Sequence, residues 1–168
     1  AVEMRTPPTQ CGFQPILAKN PPALCPASQR LRRLYADNFD DDDAQESPVT
    51  RWTVSHEGTT PDFTRRDWRI ARGLPGNRRG RAFFGPDPDI GTCGPGGDET
   101  ALLHLYSPRI VLDATVQSPT LTFNHYVATE SGWDGGNLKI SVNSGPWQLV
   151  KAADYVYNAY NGGLYTPD

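Results

Sequence analysis

Two segments near the carboxy-terminal end decide the fold class: Leu121-Thr122-Phe123-Asn124-His125-Tyr126-Val127 and Leu138-Lys139-Ile140-Ser141-Val142, separated by Asp134-Gly135-Gly136-Asn137. The second run alternates strictly, placing Leu138, Ile140 and Val142 on one face of a strand and Lys139 and Ser141 on the other. In the first run, odd positions form an apolar face of Leu121, Phe123, His125 and Val127, on which His125 reads as a core histidine bonded to backbone rather than a ligand. Asp-Gly supplies the positive φ of a hairpin turn, so Asp134 has a turn role, and Asn143-Ser144-Gly145-Pro146 is a second turn leading into Trp147. One buried face and one wet face are the pattern of an antiparallel β-sandwich.

Working outward, the same texture of short apolar runs bounded by turn residues extends back to Tyr35. It predicts further strands over 51–56, 67–71, 81–84, 101–106, 110–112 and 148–150. Glycine and proline number 16 each in 168 residues, well above the usual ~12% combined, and this punctuation excludes long helices. Residues 1–34 are Pro-rich, lack periodicity and read as a linker or tail, leaving 35–168 as the β-sandwich domain. No apolar run approaches the ~18 residues of a membrane span. The net charge of -3 gives the whole chain no electrostatic reason to bind nucleic acid.

Three cysteines stand at Cys11, Cys25 and Cys93, none at metal-ligand spacing. Cys11 and Cys25 bracket a Pro-rich stretch too poor in apolar residues to hold itself, so a disulfide staple between them makes physical sense; two buried free thiols are the alternative. Cys93 is then left over, which in an oxidising compartment implies a partner elsewhere.

Asp37, Asp40, Asp41, Asp42, Asp43 and Glu46 place six carboxylates within ten residues, which suits either a hard cation or a solvated acidic loop. The spacing is not that of an EF-hand. Eleven of the 16 lysines and arginines fall between residues 30 and 81. That basic stretch could meet an anionic polysaccharide or nucleic acid, but the acidic run lies inside it and intramolecular pairing or plain solvation is the simpler account. Trp133, in its turn setting, is the one tryptophan given an exposed binding role; core packing accounts for Trp52, Trp68 and Trp147. There is no His-Glu-x-x-His and no Gly-x-Ser-x-Gly, so no catalytic residue is assigned and the chain is not expected to be an enzyme by itself.

Three ordered runs carry a family resemblance: Tyr106-Ser107-Pro108-Arg109-Ile110-Val111-Leu112, Pro119 through Tyr126, and Trp133-Asp134-Gly135-Gly136-Asn137 through Asn143 followed by Trp147-Gln148-Leu149-Val150. Together with Tyr35-Ala36-Asp37-Asn38-Phe39-Asp40 and a following Trp52, they resemble the secreted bacterial jelly-roll modules typified by the MAM-like domain of immune inhibitor A, a galactose-binding-like sandwich. Ala1-Val2-Glu3-Met4 is similar to the end of the last catalytic-domain helix of fungalysin-like and thermolysin-like metallopeptidases. The resemblance implies an extracellular, non-catalytic module lying carboxy-terminal to a metallopeptidase catalytic domain and stabilising or targeting it. It also implies a structural calcium near the opening strand, on Asp37 and Asp40 with Asp98 or Glu99. Family members continue into further strands, so the sandwich is expected to lack its last strands, either removed by truncation or cleavage or held in another chain, and the missing half would also hold the partner of Cys93. A glycan-binding jelly-roll and a structural subunit completed by another chain are the competing expectations.

Overall fold

The computed structural model describes residues 32–40, 52–85, 99–116, 118–129 and 132–164. Among them are six strands and two 3-10 turns, with no α-helix: β1 (Thr53–Glu57), β2 (Arg69–Ala71), β3 (Ala82–Phe84), β4 (Leu102–Tyr106), β5 (Lys139–Ile140) and β6 (Gln148–Leu149). All pairing is antiparallel, as β1–β4, β2–β3 and β5–β6. The expectation of an all-β chain is met at this level. Arg32–Leu121 forms one compact unit, which holds the first two sheets; residues 122–164 belong to a second, which holds the third.

Within the first unit, β1 and β4 pair with Val54 opposite Leu105 and His56 opposite Leu103 on the more sheltered face. Thr53, Ser55 and Glu57 occupy the outer face, opposite Tyr106, His104 and Leu102. The alternation of the sequence is thus realised as the pleat demands. Gly58, at φ 62, ends β1 in a conformation that a branched side chain resists. The Trp68 indole N–H donates to the Leu103 carbonyl at 3.2 Å, and its ring lies so close to Gly85 that a Cβ there would stand 3.1 Å from it.

The opening loop is tied down by Asp37. Its Oδ2 accepts the Trp52 indole N–H at 2.9 Å and the Tyr35 hydroxyl at 3.1 Å, while Oδ1 accepts the Phe39 amide at 2.9 Å. Phe39 sits at φ 59, unusual for an aromatic residue, and the Asx turn closed by Asp37 is what holds it there. The strain places the Phe39 ring edge-on to Trp52 at 5.5 Å and to Phe83 at 5.1 Å. Trp52 and Phe83 are themselves 5.6 Å apart, which closes a three-ring cluster over β1 and β3.

The second unit shows where expectation and structure part. The 121–127 run joins no ladder among the described residues, and His125 is exposed beside Phe123 at 5.4 Å rather than in a core. Residues 110–112 likewise form no strand. The hairpin that does form is the second one expected: Asn143 and Ser144 take φ of 53 and 61, and the Gly145 amide donates to the Val142 carbonyl at 2.9 Å, as in a type I′ turn. The Leu138, Ile140 and Val142 face is not buried either, with Ile140 52% and Val142 64% exposed.

Tyr160 completes this unit. Its hydroxyl accepts the Leu138 amide at 2.9 Å and donates to the Leu138 carbonyl at 3.3 Å, while its ring packs edge-on to Tyr155 at 5.0 Å. Burial, followed by the hydrogen bond and charge of Tyr160, pushes the Tyr155 hydroxyl up to about 12. An acid with a raised folded pKa contributes stability that is complete below its unfolded value near 10 and lost as pH rises through the folded one. Tyr155→Phe is therefore expected to flatten the fall in stability between about pH 10 and 12, read from urea midpoints across that range. Tyr160→Phe, which loses both contacts with Leu138, should cost about 1–2 kcal/mol in the same measurement.

Candidate functional site

A polar cleft lies at the loop end of the β2–β3 hairpin. Arg69 faces Phe84, Ile70 faces Phe83 and Ala71 faces Ala82. Continuing that register by one step sets Arg72 opposite Arg81, on the same face as Ile70 and Phe83. Two guanidiniums at facing positions repel, and the loop that Asp37 anchors brings an anion to them. Asp40 lines an open cleft of about 300 Å³ together with Arg72, Gly80 and Arg81. Both arginines also hold interactions of their own.

Gly80 makes the approach of Asp40 possible. Its φ is 98, and a Cβ at this position would lie 3.1 Å from Asp40 Oδ1 and 3.2 Å from Oδ2. Asp40 is held from the other side by Asn38, whose Oδ1 accepts the Asp40 amide at 3.3 Å and whose Nδ2 donates to Oδ2 at 3.4 Å. The cleft therefore rests on two consecutive Asx turns beneath the aromatic cluster and on one glycine across from it.

Of the residues assigned to calcium, Asp37 has three of its roughly four lone-pair positions occupied by Trp52, Tyr35 and Phe39. Asp40 faces two cations. Glu99 lies elsewhere: its Oε1 accepts the Thr64 amide at 3.2 Å and is paired with Arg66, and the side chain is only 4% exposed. Its Oε2 is buried without a hydrogen-bond partner, and of these oxygens it is the one that fits a cation. Asp98 lies outside the described residues, as do Asp41, Asp42, Asp43, Glu46, Cys11, Cys25 and Cys93. Among the described residues no group of three or more histidines, cysteines or carboxylates gathers in a metal-holding arrangement.

Burial raises the Glu99 pKa, but the Thr64 amide and the Arg66 guanidinium together outweigh it and hold the carboxyl below its ordinary value. The two histidines of the β1–β4 sheet each meet a carboxylate, on opposite faces. His56 Nδ1 is 2.7 Å from Asp67 Oδ1, and His104 Nε2 is 3.0 Å from Glu57 Oε1. Asp67 orients His56, yet among the described residues His56 has no hydroxyl or thiol partner, so the pair forms no nucleophile and base. Trp133 is 67% exposed, consistent in exposure with a surface role, and Trp147 is 54% exposed where core packing was expected.

The facing of Arg72 and Arg81 went unread in the sequence, although a signal was present. Gly76-Asn77 between two short apolar runs marks a hairpin centre, and counting outward from it pairs 71 with 82 and 72 with 81. Compared with family models, with curated proteins and with solved structures, the chain matches none.

Two outcomes follow from this geometry. Gly80→Ala should destabilise the first unit by about 1–2 kcal/mol, the cost of a left-handed backbone with a Cβ, and should displace Asp40, detectable as shifts of the Asn38 and Asp40 amide resonances. Glu99 contributes stability that is present above the ordinary glutamate value of 4.5 and lost as pH falls through its lowered one. The stability difference between the natural chain and Glu99→Gln should therefore shrink as pH drops below 4.5, measured by denaturant midpoints along an acid series.

Proposed function

We propose that the chain is a non-catalytic accessory module of a secreted bacterial metallopeptidase, built on a jelly-roll β-sandwich of MAM-like or galactose-binding-like type. The observation that supports it most is the meeting of two separated parts of the family-like pattern. The Tyr35 to Asp40 segment closes on Trp52 through Asp37 at 2.9 Å and through Phe39 at 5.5 Å. The antiparallel pairing of every strand is in keeping with such a sandwich.

In this reading the module works outside the cell by stabilising or targeting the enzyme, through a protein or glycan surface. Its partner is the metallopeptidase catalytic domain or a second chain that completes the sandwich. The exposed apolar residues of the third sheet, Ile140, Val142 and Leu149 at 52%, 64% and 53%, are the surface such a partner would cover. A structural calcium, expected on Asp37 and Asp40 with Asp98 or Glu99, belongs to the same reading, and among the described residues the unpartnered Glu99 Oε2 is the oxygen left to hold it. The purified chain should then hydrolyse no casein above background, and calcium should raise its melting temperature in a manner that Glu99→Gln abolishes. Chelator-sensitive hydrolysis by the chain alone would sink the proposal, and a calcium-independent melting temperature would remove its metal.

A second reading, a glycan-binding module, draws on Trp133, 67% exposed in a turn. Retention on insoluble polysaccharide that Trp133→Ala abolishes would favour it; absence of retention, or retention indifferent to that substitution, would exclude Trp133 as the platform.

A further inference from the structure

We propose that the peptide bond between Arg33 and Leu34 is a processing site, cut by an endoprotease that reads paired basic residues. Three arginine pairs stand in the chain, at Arg32-Arg33, Arg65-Arg66 and Arg78-Arg79. The sequence separates the first from the others. A third arginine, Arg30, stands three positions before Arg33, whereas Phe63 and Gly76 hold that place before Arg66 and Arg79. The residue that follows is Leu34 in the first pair, and Asp67 and Gly80 in the other two.

The fold separates the same pair. A protease cleft takes its substrate as an extended chain, so the bond to be cut must be exposed and free of backbone pairing. Arg32, Arg33 and Leu34 are exposed and belong to no strand or turn. Arg66 is closed to such an enzyme, its side chain only 12% exposed and paired with Glu99, which also accepts the Thr64 amide. Arg78 is bridged to Leu74 at the end of the hairpin, and Gly80 follows Arg79 at φ 98, packed against Asp40. Arg32 also opens the compact unit Arg32–Leu121, and the edges of such units are where chains are nicked. Protection begins again at Tyr35, half-buried and bonded to Asp37.

Arg32 is held by a weak latch. Its guanidinium pairs with Asp113, whose carboxylate also accepts the Thr115 amide at 2.9 Å and the Thr115 hydroxyl. The two side chains are 58% and 51% exposed, so water and salt compete with the pair. Thr115, and after it Arg32, hold the Asp113 carboxyl down at about 2, which keeps the latch charged through the neutral and mildly acidic range. The reaction is hydrolysis: water adds across the bond, leaving a carboxylate on Arg33 and a new α-amino group on Leu34. The cut separates residues 1–33 from 34–168 and does not rest on the metallopeptidase reading.

The test uses the full chain, a limiting amount of a subtilisin-type endoprotease specific for paired basic residues, and intact mass with amino-terminal sequencing. The first product should begin Leu34-Tyr35-Ala36. Arg33→Gln should abolish it, Arg30→Gln should slow it, and Arg79→Gln should leave it unchanged. Asp113→Asn, which releases Arg32, should quicken it by about two- to fivefold, the scale of an exposed ion pair. Trypsin, which needs only one basic residue, should make the same first cut in the folded chain and scatter its cuts once the chain is unfolded. A first cut after Arg66 or Arg79 would overturn the proposal. So would a folded chain left intact by an enzyme that cuts a synthetic peptide of residues 28–37, or the same tryptic pattern from folded and unfolded chain.

Discussion

The hydrogen bond from the Trp52 indole to Asp37 is the contact on which the first unit turns. A carboxylate accepting from an indole, a phenol and an amide makes three charge-assisted bonds at one point, each stronger than a neutral one. Remove it, and the Asx turn that holds Phe39 at positive φ loses its acceptor; the Phe39 ring then has no reason to reach Trp52 and Phe83. Asp40 lies three residues further on and is carried to Gly80 by the same loop. One buried-side polar contact thus sets both the packing of the aromatic cluster and the position of the cleft carboxylate.

The sheets themselves are short, and their energetics differ from those of a filled sandwich. No side chain among the described residues is fully buried, so hydrophobic transfer, the usual main driving force of folding, is only partly collected here. Two-stranded ribbons are marginal in water unless a further layer covers them. What the first unit has instead is directional contact: the three-ring cluster, the Trp68 bond to the Leu103 carbonyl, and the Arg66 pairing with a nearly buried Glu99. Such contacts fix geometry more than they supply net stability, because desolvation offsets most of the gain of a buried ion pair.

Strand positions were largely legible because they depend on local punctuation. The runs at 53–57, 69–71, 82–84 and 102–106 are apolar or alternating and lie between glycines, prolines and acidic turns, and each appears within a residue or two of its expected place. The failures involve pairing, which is non-local. Leu121 to Val127 has the composition of a strand, but composition does not say which edge it would join, and no described segment offers one. Asp134-Gly135 has turn chemistry without two strands to connect, whereas Asn143-Ser144 is flanked by both. The acidic segment drew attention to Asp37 and Asp40, and density alone could not separate their roles: one is consumed by an indole, the other faces two arginines some thirty to forty positions away.

That separation of roles bears on what an acidic cluster means. Carboxylates close together repel, and the repulsion is relieved by a cation, whether metal or guanidinium. Here Asp40 shares an opening with two guanidiniums, those of Arg72 and Arg81, the residues that follow β2 and precede β3. Shortening the 72–81 loop by two residues about its centre would leave Arg72 and Arg81 still opposed, since symmetric deletion preserves the pairing sum. The loop already absorbs a one-residue slip, because the Leu74–Arg78 bridge lies one position out of the β2–β3 register, with Gly73 and Gly80 at positive φ between the two. Glycine placement, rather than loop length alone, is therefore what sets where the two arginines emerge.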